Sequence, residues 1–438
     1  MEPLRQPTVA DLTALVEGLA DLPTAVGDDR ELVGLIGALE QVKHACSAAQ
    51  ARATVALRTL RDEAASTPAQ RRDAHRSVVS EVALARHESP HRAGMLVGLA
   101  SALTNELPHT MAALTAGQIS EWRATLVCRE TACISRDDRL AVDAEISGRL
   151  ATLSDREIAA TARNAAYARD PHSVVARAAR AQADRRVTIR PAPDCMATVS
   201  ALLPVAQGVA VYAALVREAD SVRATGDSRG RGQVMADTLV ARVTGQAVAD
   251  QVPVEVQLVI TDEALLGESD TPARIGGFGP IPAGVARAIL VRNGAGDTET
   301  AQWIRRLYAR PEDGRLVAME STRRLFPAGL RRYIAARDAG TCRTPWCGAP
   351  IGHIDHIVAV QAGGPTTAAN GQGLCVHCNQ AKQAPGWRAA PGPDGAVTIT
   401  TPTGHRYASL PPPLPREHPV IEAAARAADN GREQPLVA

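Results

Sequence analysis

From Asp28 onward, apolar residues recur at three- and four-residue steps: Leu32, Ile36, Leu39, Val42, Cys46, Ala49 and Ala53. That period belongs to a helix with one apolar face. Asp28 and Glu31 form a capping box at its start. Continued to Leu60, the helix is about 50 Å long at ~1.5 Å per residue, which predicts a bundle or a coiled-coil-like arm. Ser154-x-x-Glu157 and Asp170-Pro171 start further helices, the second with Pro in its first turn. Residues 1–185 therefore read as a multi-helix bundle.

Around residue 186 the period changes. Arg186-Val-Thr-Ile-Arg190 and Met196-Ala-Thr-Val-Ser200 flank a Pro-Ala-Pro-Asp turn and predict a β-hairpin. A helix over about 205–220 follows, then a glycine-rich loop at 226–232 and another helix to about 243. Val254–Ile260 reads as a strand, and Gly276-Gly-Phe-Gly-Pro280 turns the chain into a helix near 282–292. Both glycine-rich loops offer backbone N–H groups to a phosphate. Neither has the Walker spacing or its lysine, so both read as ordinary turns. Ala396–Thr401 and Gly404–Tyr407 predict a last hairpin, Pro411–Pro415 a polyproline-like linker, and the final twenty or so residues disorder.

Composition narrows the class. A chain of 438 residues accommodates two to three domains. Apolar residues make up 45%, but aromatics only 3%, so the interior must come mainly from Ala, Leu and Val, which favours packed helices. The net charge of +1 carries no global signature for nucleic acid or membrane. Lys43 and Lys382 are the only lysines, a bias that reads as GC-rich codon usage before it reads as a functional arginine surface. The N-terminus has no apolar core of a secretory signal. The uncharged run Cys195–Val216 contains Pro204 and Gln207-Gly208, so it predicts a strand, a turn and a helix instead of a membrane span. The expected location is cytoplasmic, without membrane partners, where clustered cysteines more often bind metal than form disulfides.

Half of the eight cysteines fall within 37 residues. Cys342 and Cys347 form a C-x4-C knuckle, and Cys375 and Cys378 a C-x2-C knuckle. Four thiolates at these spacings close a tetrahedral structural Zn2+ site with no open position for water. The competing reading is four unrelated buried thiols. Cys46, Cys128, Cys133 and Cys195 lie in apolar contexts and read as core residues. Between the knuckles come Asp355-His356, Gly363-Gly364-Pro365 and Asn370, and Asn379 follows the second knuckle. From Leu374 the chain reads as a short helix with Asn379 and Lys382 one turn apart.

Taken together, Cys342…Cys347…Asp355-His356-Ile357…Gly363-Gly364…Asn370…Leu374-Cys375-x-x-Cys378-Asn379-x-x-Lys382 resembles an HNH endonuclease, the ββα-metal nuclease with a zinc staple. The motif covers about sixty residues. Its position behind a long helical region resembles a group of bacterial HNH proteins whose N-terminal domain has no established function. Asp170-Pro171, Leu202-Leu-Pro204 and Gln233-Val-Met-Ala-Asp237 fit that group.

The resemblance implies hydrolysis of DNA phosphodiester bonds, duplex DNA being the expected partner. Asp355 and Asn379 would hold a catalytic Mg2+ or Mn2+ through oxygen, as hard cations require. His356 would be the general base, and Asn370 would fix the loop behind it. Many relatives carry His where this chain has Asn379, an H-N-N version that suits Mg2+ better than Ni2+ or Zn2+. Neighbouring strand residues face opposite ways, so Asp355 and His356 share a site only if the strand bends or ends there. His353 is a further candidate for a ligand or phosphate contact; His377, inside the knuckle, reads as a surface residue or a partner of a cysteine sulfur.

From Trp303 to Arg343 ten arginines face four acidic residues, a local excess of +6. This basic approach predicts DNA contacts at Arg331, Arg332, Arg337, Arg343 and Lys382, against the alternative of a solvated charged helix. The expected fold is α+β. It comprises a mainly helical domain (1–250), an α/β connector (251–325), an HNH nuclease domain (326–390) and a Pro-rich hairpin with a tail (391–438). Two rival functions stand beside the nuclease: a zinc-stapled DNA-binding module without catalysis, and a helical homo-oligomerisation or partner-binding protein with the nuclease as effector.

Overall fold

The computed structural model describes residues 8–22, 28–245, 258–260, 264–265, 267, 269–275, 278–294, 320–321 and 325–412. The chain forms two compact units, Met1–Leu60 with Met95–Ala176, and Arg61–Gly94 with Arg177–Ala438. Each unit draws on two separate stretches of sequence. Residues 61–94 join the unit that holds the metal motif, a grouping absent from any division in chain order. The architecture is α+β, with a helical N-terminal region and small antiparallel sheets after it.

The first unit is helical: α1 (Val9–Ala20), most of α2 (Asp29–Ala64), then, beyond α3 (Pro68–Ala85), the larger part of α4 (Pro90–Asn105). It continues through α5 (Pro108–Thr115), α6 (Glu121–Thr131), α7 (Arg136–Ile146), α8 (Asp155–Arg169) and the start of α9 (Pro171–Ala181). The caps read from sequence are present: Glu31 N–H donates to Asp28 (2.8 Å), Ser154 and Glu157 close a capping box, and Ser173 N–H donates to Asp170 (2.9 Å). Leu103, Leu107, Leu114, Ile119, Leu150 and Ile158 centre its core. Leu107 offers α5 no side-chain cap. The fully buried Asp143 takes that role, accepting the N–H groups of His109 (2.6 Å) and Thr110 (3.0 Å).

Along α2 the buried face differs from the predicted stripe. Ala48, Ala51 and Thr54 are buried, whereas Ile36, Val42, Cys46, Ala49 and Ala53 are exposed. Close approach explains the difference. A Cβ on Gly117 (φ 73°) would lie 2.8 Å from the Gln41 Cβ, and His44 Nδ1 hydrogen-bonds the Gly117 carbonyl at 3.0 Å. Small side chains and a polar contact dock this helix where a leucine stripe was expected. The expectation that all four outlying cysteines are core residues also fails: Cys46 and Cys195 are exposed, and Cys128 and Cys133 are partly buried against the core.

The second unit holds α3 and the predicted hairpin, β1 (Arg186–Ala192) paired antiparallel with β2 (Met196–Leu202). Then come α10 (Val205–Ala224) and α11 (Arg231–Thr244), linked by Arg231–Asp220 and Arg242–Glu218 ion pairs. A small sheet of β3 (Leu258–Val259), β4 (Ala273–Ile275) and β5 (Gly279–Ile281) precedes α12 (Ala283–Gly294). The predicted strand 254–260 is described only from Leu258 onward. The arginines from Arg305 to Arg324 and the chain after residue 412 lie outside the described residues.

The remaining elements build the metal-motif region. They are β6 (Glu320–Ser321), α13 (Ala328–Arg337), β7 (His353–His356), β8 (Thr366–Thr367), β9 (Gly371–Leu374) and α14 (Val376–Lys382). The predicted last hairpin, β11 (Val397–Thr400) with β12 (Arg406–Ser409), gains a third strand, β10 (Arg388–Pro391). Among the described residues no helix is long and apolar enough to cross a membrane.

Candidate active site and metal centre

Strands β7 and β9 pair antiparallel, Asp355 opposite Gln372 and His356 opposite Gly371, and α14 follows one residue after β9. This is a ββα unit. Strand β7 ends at His356 and the chain bends at Ile357, the break that the sequence required. Asn370 latches the loop between the strands. Its Oδ1 accepts the Val358 N–H (2.9 Å), and its Nδ2 donates to the carbonyls of Val358 (3.0 Å) and Pro365 (2.8 Å). The latch demands glycine at Gly364, where a Cβ would lie 1.9 Å from the Val358 oxygen.

The side chains of Asp355 and His356 go to different partners. Asp355 Oδ2 pairs with the Lys382 ammonium at 2.5 Å, and the same ammonium donates to the His356 carbonyl. His356 Nε2 shares a 2.9 Å hydrogen bond with Thr366 Oγ1, and its ring lies 4.3 Å from that of Phe326. Burial holds the His356 imidazole below its ordinary pKa, helped by Lys382 and opposed by the Asp355 charge. On α14, one turn before Lys382, the Asn379 Oδ1 is buried with no hydrogen-bond partner among the described residues. A buried carbonyl oxygen without a donor is costly and calls for a cation or a donor not belonging to the chain. An amide oxygen and the Asp355 carboxylate are the donor types that a hard divalent ion takes.

The four knuckle cysteines converge. Their sulfurs all lie within 4.8 Å of one another, with Cys347 3.7 Å from both Cys375 and Cys378. A tetrahedral site with Zn–S near 2.3 Å has sulfurs about 3.8 Å apart. Left-handed Trp346 (φ 58°) and Gly348 (φ 62°) fold the first knuckle back on itself, and Cys375 caps α14. Hydrogen bonding among the thiols splits their acidities: Cys347 lowers Cys342 to about 7 and Cys342 lowers Cys375, while Cys347 and Cys378 are pushed up. Four sulfurs at tetrahedral spacing suit a thiophilic ion such as zinc.

The arginines divide. Arg331 and Arg332 are exposed on α13. Arg337 is spent on Asp338 (2.8 and 3.0 Å) and on the carbonyls of Ala368 (2.7 Å) and Gly371 (2.8 Å). Arg343 is only 3% exposed and bonds Asp338 (3.0 Å) and the carbonyls of Gly395 (3.0 Å) and Ser409 (2.8 Å). Both guanidiniums are taken up inside the fold, which replaces the DNA contacts expected of them. Lys382 is likewise committed, to Asp355. His353 is exposed at the start of β7, and His377, half-buried, bonds the Ser80 hydroxyl at 3.1 Å. Thr366, Asp338 and Ser80 escaped the sequence reading. Ser80 meets His377 297 residues on, and Asp338 reaches the Gly373 N–H 35 residues on, so neither contact leaves a local pattern.

Two family models match the chain: the domain of unknown function DUF222 over residues 40–338, and the HNH endonuclease over residues 342–384. No curated protein and no solved structure matches it. The HNH match covers the ββα unit and all four clustered cysteines, and with it comes a nuclease or DNA-related role. The DUF222 match spans well over half of the sequence, so the chain belongs to the DUF222 family and carries an HNH endonuclease domain directly behind it.

Proposed function

We propose that the protein is a metal-dependent endonuclease that hydrolyses phosphodiester bonds of duplex DNA, with a Mg2+-type ion at Asp355 and Asn379 and Zn2+ at the four cysteines. The observation that carries the reading is the unpartnered, buried Asn379 Oδ1 on the helix that packs beside Asp355. Nothing among the described residues satisfies that oxygen, and a hard cation would.

The bound divalent ion would supply charge neutralisation at the phosphate and at the leaving oxygen. The rest falls to the chain. His356, kept neutral by burial, takes the proton of the attacking water. Thr366 Oγ1 takes up Nε2 at 2.9 Å, so in this scheme Nδ1 is the nitrogen that acts as base. Asn370 holds the loop that follows His356, and Phe326 packs against the imidazole ring. Lys382 balances the Asp355 charge and ties α14 to the end of β7. Arg331 and Arg332 are exposed cations on the helix that precedes the site, and they would attract the phosphate backbone without reading bases.

Plasmid cleavage by purified protein, with Mg2+, with Mn2+ and with chelator, tests the reading. Cleavage that needs the metal and disappears in His356→Ala supports it. DNA binding without cleavage under every metal condition would turn the assignment to a zinc-stapled binding module.

A further inference from the structure

Helix α3 belongs to the stretch matched by the domain of unknown function, yet its buried face is polar in an unusual way. Ser77, Ser80, Glu81 and Leu84 follow the helical repeat and are all at most 7% exposed. Buried hydroxyls and carboxylates are tolerated only with matched partners. Here each of the three polar side chains has a partner beyond residue 376. Trp387 Nε1–H donates to Ser77 Oγ (2.8 Å), His377 Nε2 bonds Ser80 Oγ (3.1 Å), and Thr403 Oγ1–H donates to Glu81 (2.8 Å). Arg61 completes the Glu81 carboxylate at 3.0 Å. Leu84 closes an apolar cavity against Leu374, Cys378 and Trp387. Just past the helix, left-handed His87 (φ 55°) stacks on Trp346 of the first knuckle, rings 4.1 Å apart and 12° from parallel.

These contacts fall on functionally distinct parts. Trp346 lies between Cys342 and Cys347. His377 lies between Cys375 and Cys378 and two residues before Asn379. Trp387 immediately precedes β10, and Thr403 lies in the turn between β11 and β12. One helix face therefore grips both knuckles and the helix that carries Asn379.

We infer that residues 61–94 of the DUF222 region are a working part of the nuclease, a clamp in which Ser80, through His377, positions α14 and the Asn379 carbonyl. Ser77, Ser80 and His377 are positioning residues in this scheme, and the role assigns a function to a segment of a domain that has none. The inference rests on the nuclease reading only for its catalytic consequence; the clamp itself is a property of the fold.

Hydrogen–deuterium exchange of the full-length protein, read over residues 371–391, tests it. Each lost hydrogen bond is worth about fivefold in local opening, so Ser77→Ala/Ser80→Ala should raise exchange there by roughly 25-fold. Ser80→Ala alone should give about fivefold, Ser80→Thr should restore protection, and Ser47→Ala, outside the clamp, should change nothing. In DNA cleavage the double variant should lose kcat while keeping the wild-type KM and zinc content. Unchanged exchange overturns the clamp, and raised exchange with unchanged kcat overturns its positioning role. Raised exchange in a series where the wild type itself does not cleave DNA upholds the clamp and removes the nuclease reading instead.

Discussion

Asp338 predicts the largest stability effect of a residue outside the site. Its carboxylate is fully buried and accepts Arg337 Nε (2.8 Å) and Nη2 (3.0 Å), Arg343 Nη1 (3.0 Å) and the Gly373 N–H on β9 (2.8 Å). Burial pulls the Arg343 pKa down and Asp338 holds it up, so the pair stands or falls together. Asp338→Ala strands the Arg343 charge in the interior and frees a buried N–H beside the second knuckle. Breaking a buried pair from one side costs about 3–5 kcal/mol. Replacing both partners by apolar residues, Asp338→Leu with Arg343→Met, removes the stranded charge and should cost far less than the two single changes added. Urea unfolding of the zinc-loaded protein, followed by tryptophan fluorescence, measures this. At a slope of about 2 kcal/mol/M, the Asp338→Ala midpoint should fall by roughly 2 M without a change in slope. A loss below 1 kcal/mol, or a double variant that costs the full sum, would refute the reasoning.

Four further outcomes are expected. His356→Ala should reduce cleavage ~10²–10⁴-fold with catalytic-metal affinity intact and no rescue by excess metal, whereas Asp355→Ala and Asn379→Ala should weaken metal binding in calorimetry and regain activity at high Mg2+. Thr366→Val should lower kcat by about 10–100-fold through loss of imidazole orientation, with DNA affinity unchanged in filter binding. Cys342→Ser should lose zinc by elemental analysis and yield a C-terminal region without fixed structure, while Cys46→Ser, at an exposed position, should leave the thermal midpoint unmoved. Arg331→Ala with Arg332→Ala should weaken binding to any duplex sequence and flatten the salt dependence by about 0.9 log units per lost phosphate contact; Arg343→Ala should instead destabilise the fold.

Local chemistry made much of this molecule legible from its sequence. The capping box at Ser154, the Asp170-Pro171 start and the hairpin at Arg186 depend on residues within a few positions of one another, and each element is present. The metal motif was legible for the same reason, since Cys375 and Cys378 need only one turn of helix to face one ion. What sequence concealed is set by distant partners. The α2 stripe was read as buried because its period is right, yet the neighbouring Gly117 admits the helix along another face. Arg337 and Arg343 looked like DNA contacts because they belong to a run with an excess of positive charge. Asp338 and a set of free carbonyls draw them inward. His377 was placed at the surface or on a sulfur because nothing near it in sequence hints at Ser80.

The wide separation between α3 and its partners bears on synthesis. Ser80 and His377 are 297 residues apart, and Glu81 and Thr403 are 322. At ~5–20 residues per second, the ribosome delivers the second half of these contacts roughly 15–60 s after the first. Throughout that interval the polar face of α3 has no mate, and the knuckle region cannot complete its packing. The contacts between α3 and the metal-motif region are therefore complete only once synthesis has passed Thr403.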